Sequence, residues 1–221
     1  MRGDIPLPQS MTTIASREAD DELGRGISRT ILDFIGHIPG TTEKISVDPG
    51  HRARVIARAA ARKAALTAGG LALPPGPLGW LTILPELVAV WKLQTQMVAD
   101  IAGIYGNKVG LTQEQMIYCL FRHTAAQAVR DLVVRIGERF LVRQISVRAI
   151  QAVARKIGVS ITRHAIGKGV SRWLPVAGAV GVGAYAYFDT QQVARTAIEL
   201  FERGIDIAPA EGLPTAKEAR N

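Results

Sequence analysis

One predicted helix holds most of the residues that could do chemistry. At roughly 100° per residue, Glu86, Lys92, Gln96 and Asp100 share an arc of about 120°. Leu93 and Ile104 intrude on that arc, and Leu87, Val90, Trp91, Val98, Ile101 and Tyr105 make the rest of the segment apolar. Two readings follow. In one, Glu86 serves the positive end of the helix, Lys92 is solvated and Asp100 pairs with an arginine. In the other, Glu86, Lys92 and Asp100 line a polar pocket, joined by Asp189 from the last helix, as in an enzyme or a small-molecule binder. Charge inside apolar surroundings is costly unless it is paired, so the second reading needs the side chains to converge.

Other chemistries have thinner support. Cys119 and His123 are four residues apart, but two ligands do not make a zinc site. His37, His51 and His164 have no metal spacing, so no metal is assigned. There is no Gly-x-Ser-x-Gly, no His-Glu-x-x-His and no paired-carboxylate motif. No catalytic residue and no cofactor follow from the sequence, and an enzyme is the less favoured reading.

Arginine spacing points elsewhere. Arg54, Arg58 and Arg62 stand at i,i+4, opposite Val55, Ile56, Ala59 and Ala60, on a basic amphipathic helix. Such a face suits an anionic lipid surface, and equally a solvated exterior. Arg135, Arg139 and Arg143 share the spacing, with Gly137 between them. Nucleic acid is a poor fit, because no recognition helix or aromatic stacking platform stands out.

The stretch LPVAGAVGVGAYAYFDT (174–190) has small residues at Ala177/Gly181 and Ala179/Gly183, each pair four apart. A dinucleotide loop would need Gly181-x-Gly183-x-x-Ala186 between a strand and a helix, and no strand precedes it. The stretch is too short between charges for a simple membrane span. The other long uncharged run, between Lys63 and Glu86, is interrupted by Pro74, Pro75 and Pro77 and by several glycines. Both runs suit close helix packing, in a core or in a hairpin that dips into a bilayer.

The elements that must position these residues are helical. The chain is 48% hydrophobic but only 5% aromatic, which favours thin, close-packed helices over a β-sandwich. After a flexible arm (1–15), periodicity predicts helices from about 16 to 36, with Ile27, Ile31, Phe34 and Ile35 on one face, and from 51 to 68 before Gly69-Gly70. Next come 85–106, opened by Pro85, and 113–136, opened by a Thr112/Gln115 capping box and carrying an Asp131/Arg135 pair. Shorter helices are expected over 139–157 and 159–169, a long one over 175–204, and a disordered tail over 205–221. With no convincing alternating strand, the class is all-α, one multi-helix domain over 16–204. TQMVADIA (95–102) and TQQVARTA (190–197) agree at five positions, a candidate internal pseudo-repeat.

The net charge of +8 sits in the middle of the chain. Residues 51–172 hold 18 Lys/Arg against 5 Asp/Glu, whereas residues 1–50 hold 5 against 8. A basic middle asks for an anionic partner. The single cysteine and the absence of an apolar N-terminal core lead to the expectation of a cytoplasmic protein.

The run LTAGGLALPPGPLGWLTILPELVAVWKLQTQMVADIAGIYG, with the later RWLPVAGAVGVGAYAYFDTQQVARTAIELFERG, resembles the EcsC family. The shared features are a Gly-rich segment, a proline-bounded acidic residue opening a helix, Ile-Ala-x-x-Tyr-Gly, and a late Pro-Val-x-Gly-Ala. Glu86 stands where the family usually has Asp. The resemblance covers roughly residues 50–204 and extends distantly to the helical domain of some Era-like GTPases. It implies a bacterial, α-helical, membrane-associated protein and supplies no catalytic residues. The expected function is therefore non-catalytic contact with anionic lipid or a membrane-protein partner. The alternatives are a small-molecule binder or enzyme on helix 85–105, and a delivered membrane-disrupting effector.

Overall fold

The computed structural model describes residues 21–22, 24–33, 37–71, 83–107, 111–130, 132–136, 139–143, 146–166 and 175–208. The remainder, including the expected arm at 1–15, Phe34, Ile35, Asp131 and most of the tail, lies outside the described residues. Within them the chain is mostly helical, as expected.

Helix α1 covers residues 24–33 and buries Ile27 and Ile31. Helix α2, Pro49–Leu71, starts two residues earlier than the periodicity suggests. Asp48 explains this, since its Oδ1 accepts from His51 N–H at 3.0 Å and Pro49 occupies the first helical position. Ala53, Ala57, Ala61, Ala64 and Ala68 form its buried face. Helix α3, Ile83–Ile104, runs back along α2. Gly106, at φ 71°, ends it, with Gly106 N–H donating to Gly103 O at 3.0 Å and Asn107 N–H to Ala102 O at 3.2 Å, a Schellman closure. Helix α4, Gln113–Phe121, carries the predicted capping box: Gln115 N–H donates to Thr112 Oγ1, and Thr112 N–H to Gln115 Oε1.

The chain then departs from the predicted helix over 113–136. A short α5, Ala126–Val129, leads into β1, Val133–Ile136, and β2, Arg139–Arg143. The strands pair antiparallel, Val133 opposite Val142 and Ile136 opposite Arg139. β-Branched and aromatic residues on both sides of Gly137-Glu138 favour extended backbone, and here that preference outweighs the helical spacing of Leu132. Helix α6, Val147–Ile166, replaces the two shorter helices expected on either side of Gly158. Helix α7, Pro175–Glu202, is the predicted long one. Gly204, at φ 76°, turns the chain into β3, Ile205–Ala208, parallel to β2, in a sheet ordered β1-β2-β3. Residues 205–208 are therefore a strand, where a disordered tail was expected.

One large apolar cluster joins α1, α3, α4, α6, α7 and the sheet around Ile101, Ile117, Phe140, Ile157 and Leu200. Trp91 and Phe121 meet edge to face inside it, with centroids 5.3 Å apart. A small separate cluster, Ala64, Ala68, Val90 and Ala186, lies at the other end of α2, α3 and α7. The candidate repeat maps onto similar burial: Thr95 and Thr190, Val98 and Val193, and Ala102 and Ala197 are all buried.

Candidate functional site on the α2–α7 pair

Helices α2 and α7 run antiparallel, because contacts climb one helix as they descend the other. Gln191 reaches Ala57 O, Gly183 lies against Ala65 O, and Gly69 lies against Ala179 O. A Cβ on Gly183 would stand 2.9 Å from Ala65 O, and one on Gly69 would stand 3.2 Å from Ala179 O. Backbone therefore meets backbone, the close approach that small residues at i,i+4 permit. Of the two predicted pairs, Ala179/Gly183 makes this contact. Gly181 is exposed, with nothing within 4 Å of where its Cβ would be. Gly181, Gly183 and Ala186 lie inside one continuous helix, Pro175–Glu202, and not at its start, so they have no dinucleotide-loop geometry.

Two kinds of surface follow along this pair. Arg54, Arg58 and Arg62 are exposed on α2, as is Lys63. Among the described residues none of the three arginines forms an ion pair, and Arg58 Nε donates to Arg54 O at 3.3 Å. Their neighbour Arg52 differs, held by Glu43 at 2.6 and 3.2 Å, and this hydrogen bond pushes its guanidinium up. One turn beyond Arg62 the same stripe becomes apolar at Leu66, which is 78% exposed; Leu71, nine residues from Arg62 and on another side of the helix, is also exposed. On α7 the first half matches it, with Val180 68% and Phe188 67% exposed. Phe188 and Arg195 are seven residues apart, two turns along one face. Because the helices are antiparallel, the apolar end of α2 adjoins the apolar end of α7, and the arginines of both lie toward the opposite end.

A polar cluster sits behind this face. Asp189 Oδ2 accepts from Gln94 Nε2 at 2.7 Å, and Gln94 also donates to Thr190 Oγ1 at 3.2 Å. Asp189 Oδ1 lies 2.6 Å from His123 Nε2. A carboxylate only accepts, so that nitrogen carries the proton. An Asp-oriented imidazole is half of a nucleophile-activating arrangement, but the one thiol is fully buried, and burial pushes it far up into the protonated form. Among the described residues there is no group of three His, Cys, Asp or Glu able to hold a metal.

The predicted arc on α3 divides. Asp100 Oδ1 accepts from Thr41 Oγ1 at 2.7 Å and from Gln96 Nε2 at 2.9 Å, and Gln96 also donates to Gly40 O at 3.0 Å. These two pin the 40–43 segment onto α3, where Gly103 leaves room for Thr41. Lys92 is exposed. The side chain of Glu86 lies outside the described residues. Asp189 joins Gln94 and His123 instead, so the described side chains do not converge on one pocket with Asp100. Sequence reading missed Gln94 and the role of His123; a glutamine on the apolar side of α3 was the available signal. Arg135 lies in β1, and Arg139 and Arg143 in β2, so their i,i+4 spacing marks no helix stripe; Asp131, the expected partner of Arg135, lies outside the described residues.

Comparison with known protein families, curated proteins and solved structures finds no match.

Proposed function

We propose that this chain is a bacterial, EcsC-type, peripheral membrane protein that works without catalysis, on the cytoplasmic side, by binding anionic lipid directly or beside a membrane-protein partner. The observation that carries this reading is the outer face of α2 and α7, with arginines that form no ion pair among the described residues running into exposed Leu66, Val180 and Phe188. Arg62 stands about 6 Å along the helix from Leu66. With Leu66 in the acyl region, Arg62 lies at the level of the phosphates, and Arg58 and Arg54 stand about 6 and 12 Å farther out along the helix, within reach of the surface field. Among the described residues no helix is long and apolar enough to cross a membrane, so the contact proposed is with one leaflet.

Each basic residue near an anionic surface contributes about 1 kcal/mol. Replacing Arg54, Arg58 and Arg62 by Glu is therefore expected to weaken binding to phosphatidylglycerol-containing vesicles by about a hundredfold or more. Co-sedimentation measures this. Binding should fall as salt is raised past about 0.15 M. Equal binding to neutral and acidic vesicles, or none to either, ends the reading, and dye release from the vesicles would favour a membrane-disrupting effector.

A further inference from the structure

We propose that the groove between α2 and α7, at their arginine-bearing end, is a binding site for a phosphoryl group with two or more negative charges. The groove has a volume of about 450 Å³, within the roughly 300–1,000 Å³ of small-molecule sites. Ala57, Ala194 and Ile198 lie along it, with Arg54 and Arg58 from α2 facing Arg195 from α7 and Arg203 just beyond its end. Buried alanines at 57 and 194 bring the two backbones together, so long side chains from both helices overhang one depression. Gln191, which reaches Ala57 O, also lines it.

The charge in this groove is unbalanced. Two carboxylates line it, Glu199 and Glu202. Glu199 is already bound by Arg122 Nη1 at 2.8 Å, and Arg122 in turn stacks over the Tyr118 ring. Among the described residues no carboxylate forms an ion pair with any of the four groove arginines. Glu202 offsets one of the four guanidinium charges, and an anion with several oxygens relieves the repulsion that remains. Their planar forks match phosphoryl oxygens bidentately. Two arginines on each wall suit a dianion better than a lone carboxylate. The inference goes beyond the membrane reading, because it needs a concave site and Arg203, and the residues it changes, Arg195 and Arg203, are not those that test that reading.

The ligand is either a free phosphorylated solute or a lipid with a phosphomonoester headgroup, and two arms separate them. Titration calorimetry with inorganic pyrophosphate should detect binding to the full chain. Arg195→Gln combined with Arg203→Gln should weaken it by about tenfold or more, the scale of losing hydrogen bonds to a charged group. Thermal melting checks that the fold persists, and Arg203→Gln alone serves if the double variant does not fold. In the second arm, tighter binding to phosphatidic acid than to phosphatidylglycerol vesicles of equal surface charge assigns the ligand to lipid, while equal binding assigns it to solution. Absence of both pyrophosphate binding and a phosphatidic acid preference overturns the proposal, as does unchanged pyrophosphate binding in the variants. Pyrophosphate binding without any vesicle binding leaves the groove standing and removes the membrane reading. Phosphatidylglycerol binding without pyrophosphate binding or a phosphatidic acid preference does the reverse.

Discussion

Asp189 ties three elements together through two oxygens, one to α3 and one to the turn after α4. Gln94 is 1% exposed, so removing its acceptor leaves a buried amide short of a partner. Asp189→Ala is expected to cost about 2–3 kcal/mol, read from urea unfolding; a change under about 0.5 kcal/mol would mean that the cluster adds nothing. Cys119 gives a second residue-scale expectation. Burial pushes its thiol up, so the native chain keeps a proton that the unfolded chain releases near its ordinary value of about 8.5. The unfolded state then binds fewer protons, and stability should fall as pH rises above that point. Tyr118 and Tyr105, also pushed up by burial, extend the fall above about pH 10. Melting temperature against pH tests this, and Cys119→Ala should flatten the earlier part. A thiol reagent should react only after unfolding. A helical wheel found Gln96 and Asp100 on one arc, and they do bond. It could not find Gln94 with Asp189, since a wheel knows one helix and that bond joins two.

At the scale of elements, glycines with the same local sequence have opposite roles. Gly183 meets the backbone of Ala65, so Gly183→Ala must push α2 and α7 apart, at an expected cost of about 1–3 kcal/mol. Gly181 has open space around it. Gly181→Ala should be neutral or stabilise by about 0.5–1 kcal/mol, because alanine is the better helix former. Thermal melts of the two variants should move apart; equal shifts would deny the close crossing. The small-residue pattern was legible in the sequence, but which pair faces α2 was not. Gly158 teaches the same lesson. It reads as a helix break, yet it lies inside α6, where a Cβ would come 2.5 Å from Ser28 Oγ and 2.7 Å from Gly24 O of the first helical segment. The glycine is there for a neighbour distant in sequence. The capping box at Thr112 was fully legible, because all its parts are local. The β1–β2 pairing was missed because Leu132 and its neighbours also satisfy a helical period, and short apolar runs carry both signals.

Over the whole molecule, burial is distributed unequally. Among the described residues the large cluster joins most elements with Ile, Leu, Met and aromatic side chains, whereas the small one consists of three alanines and Val90, with Leu93 and Val182 beside it. Apolar area buried scales with stabilisation, so the two ends of α2, α3 and α7 differ in local stability. Amides of residues 64–70 and 179–186 are expected to exchange hydrogen well before those of 97–104, in partial openings that leave the large cluster intact. Uniform protection along α2 and α7 would contradict this. The end that gives way first is also the greasy one. On the membrane reading, a bilayer would meet the part of the molecule that resists least, and binding there would ask for little prior disruption of the rest.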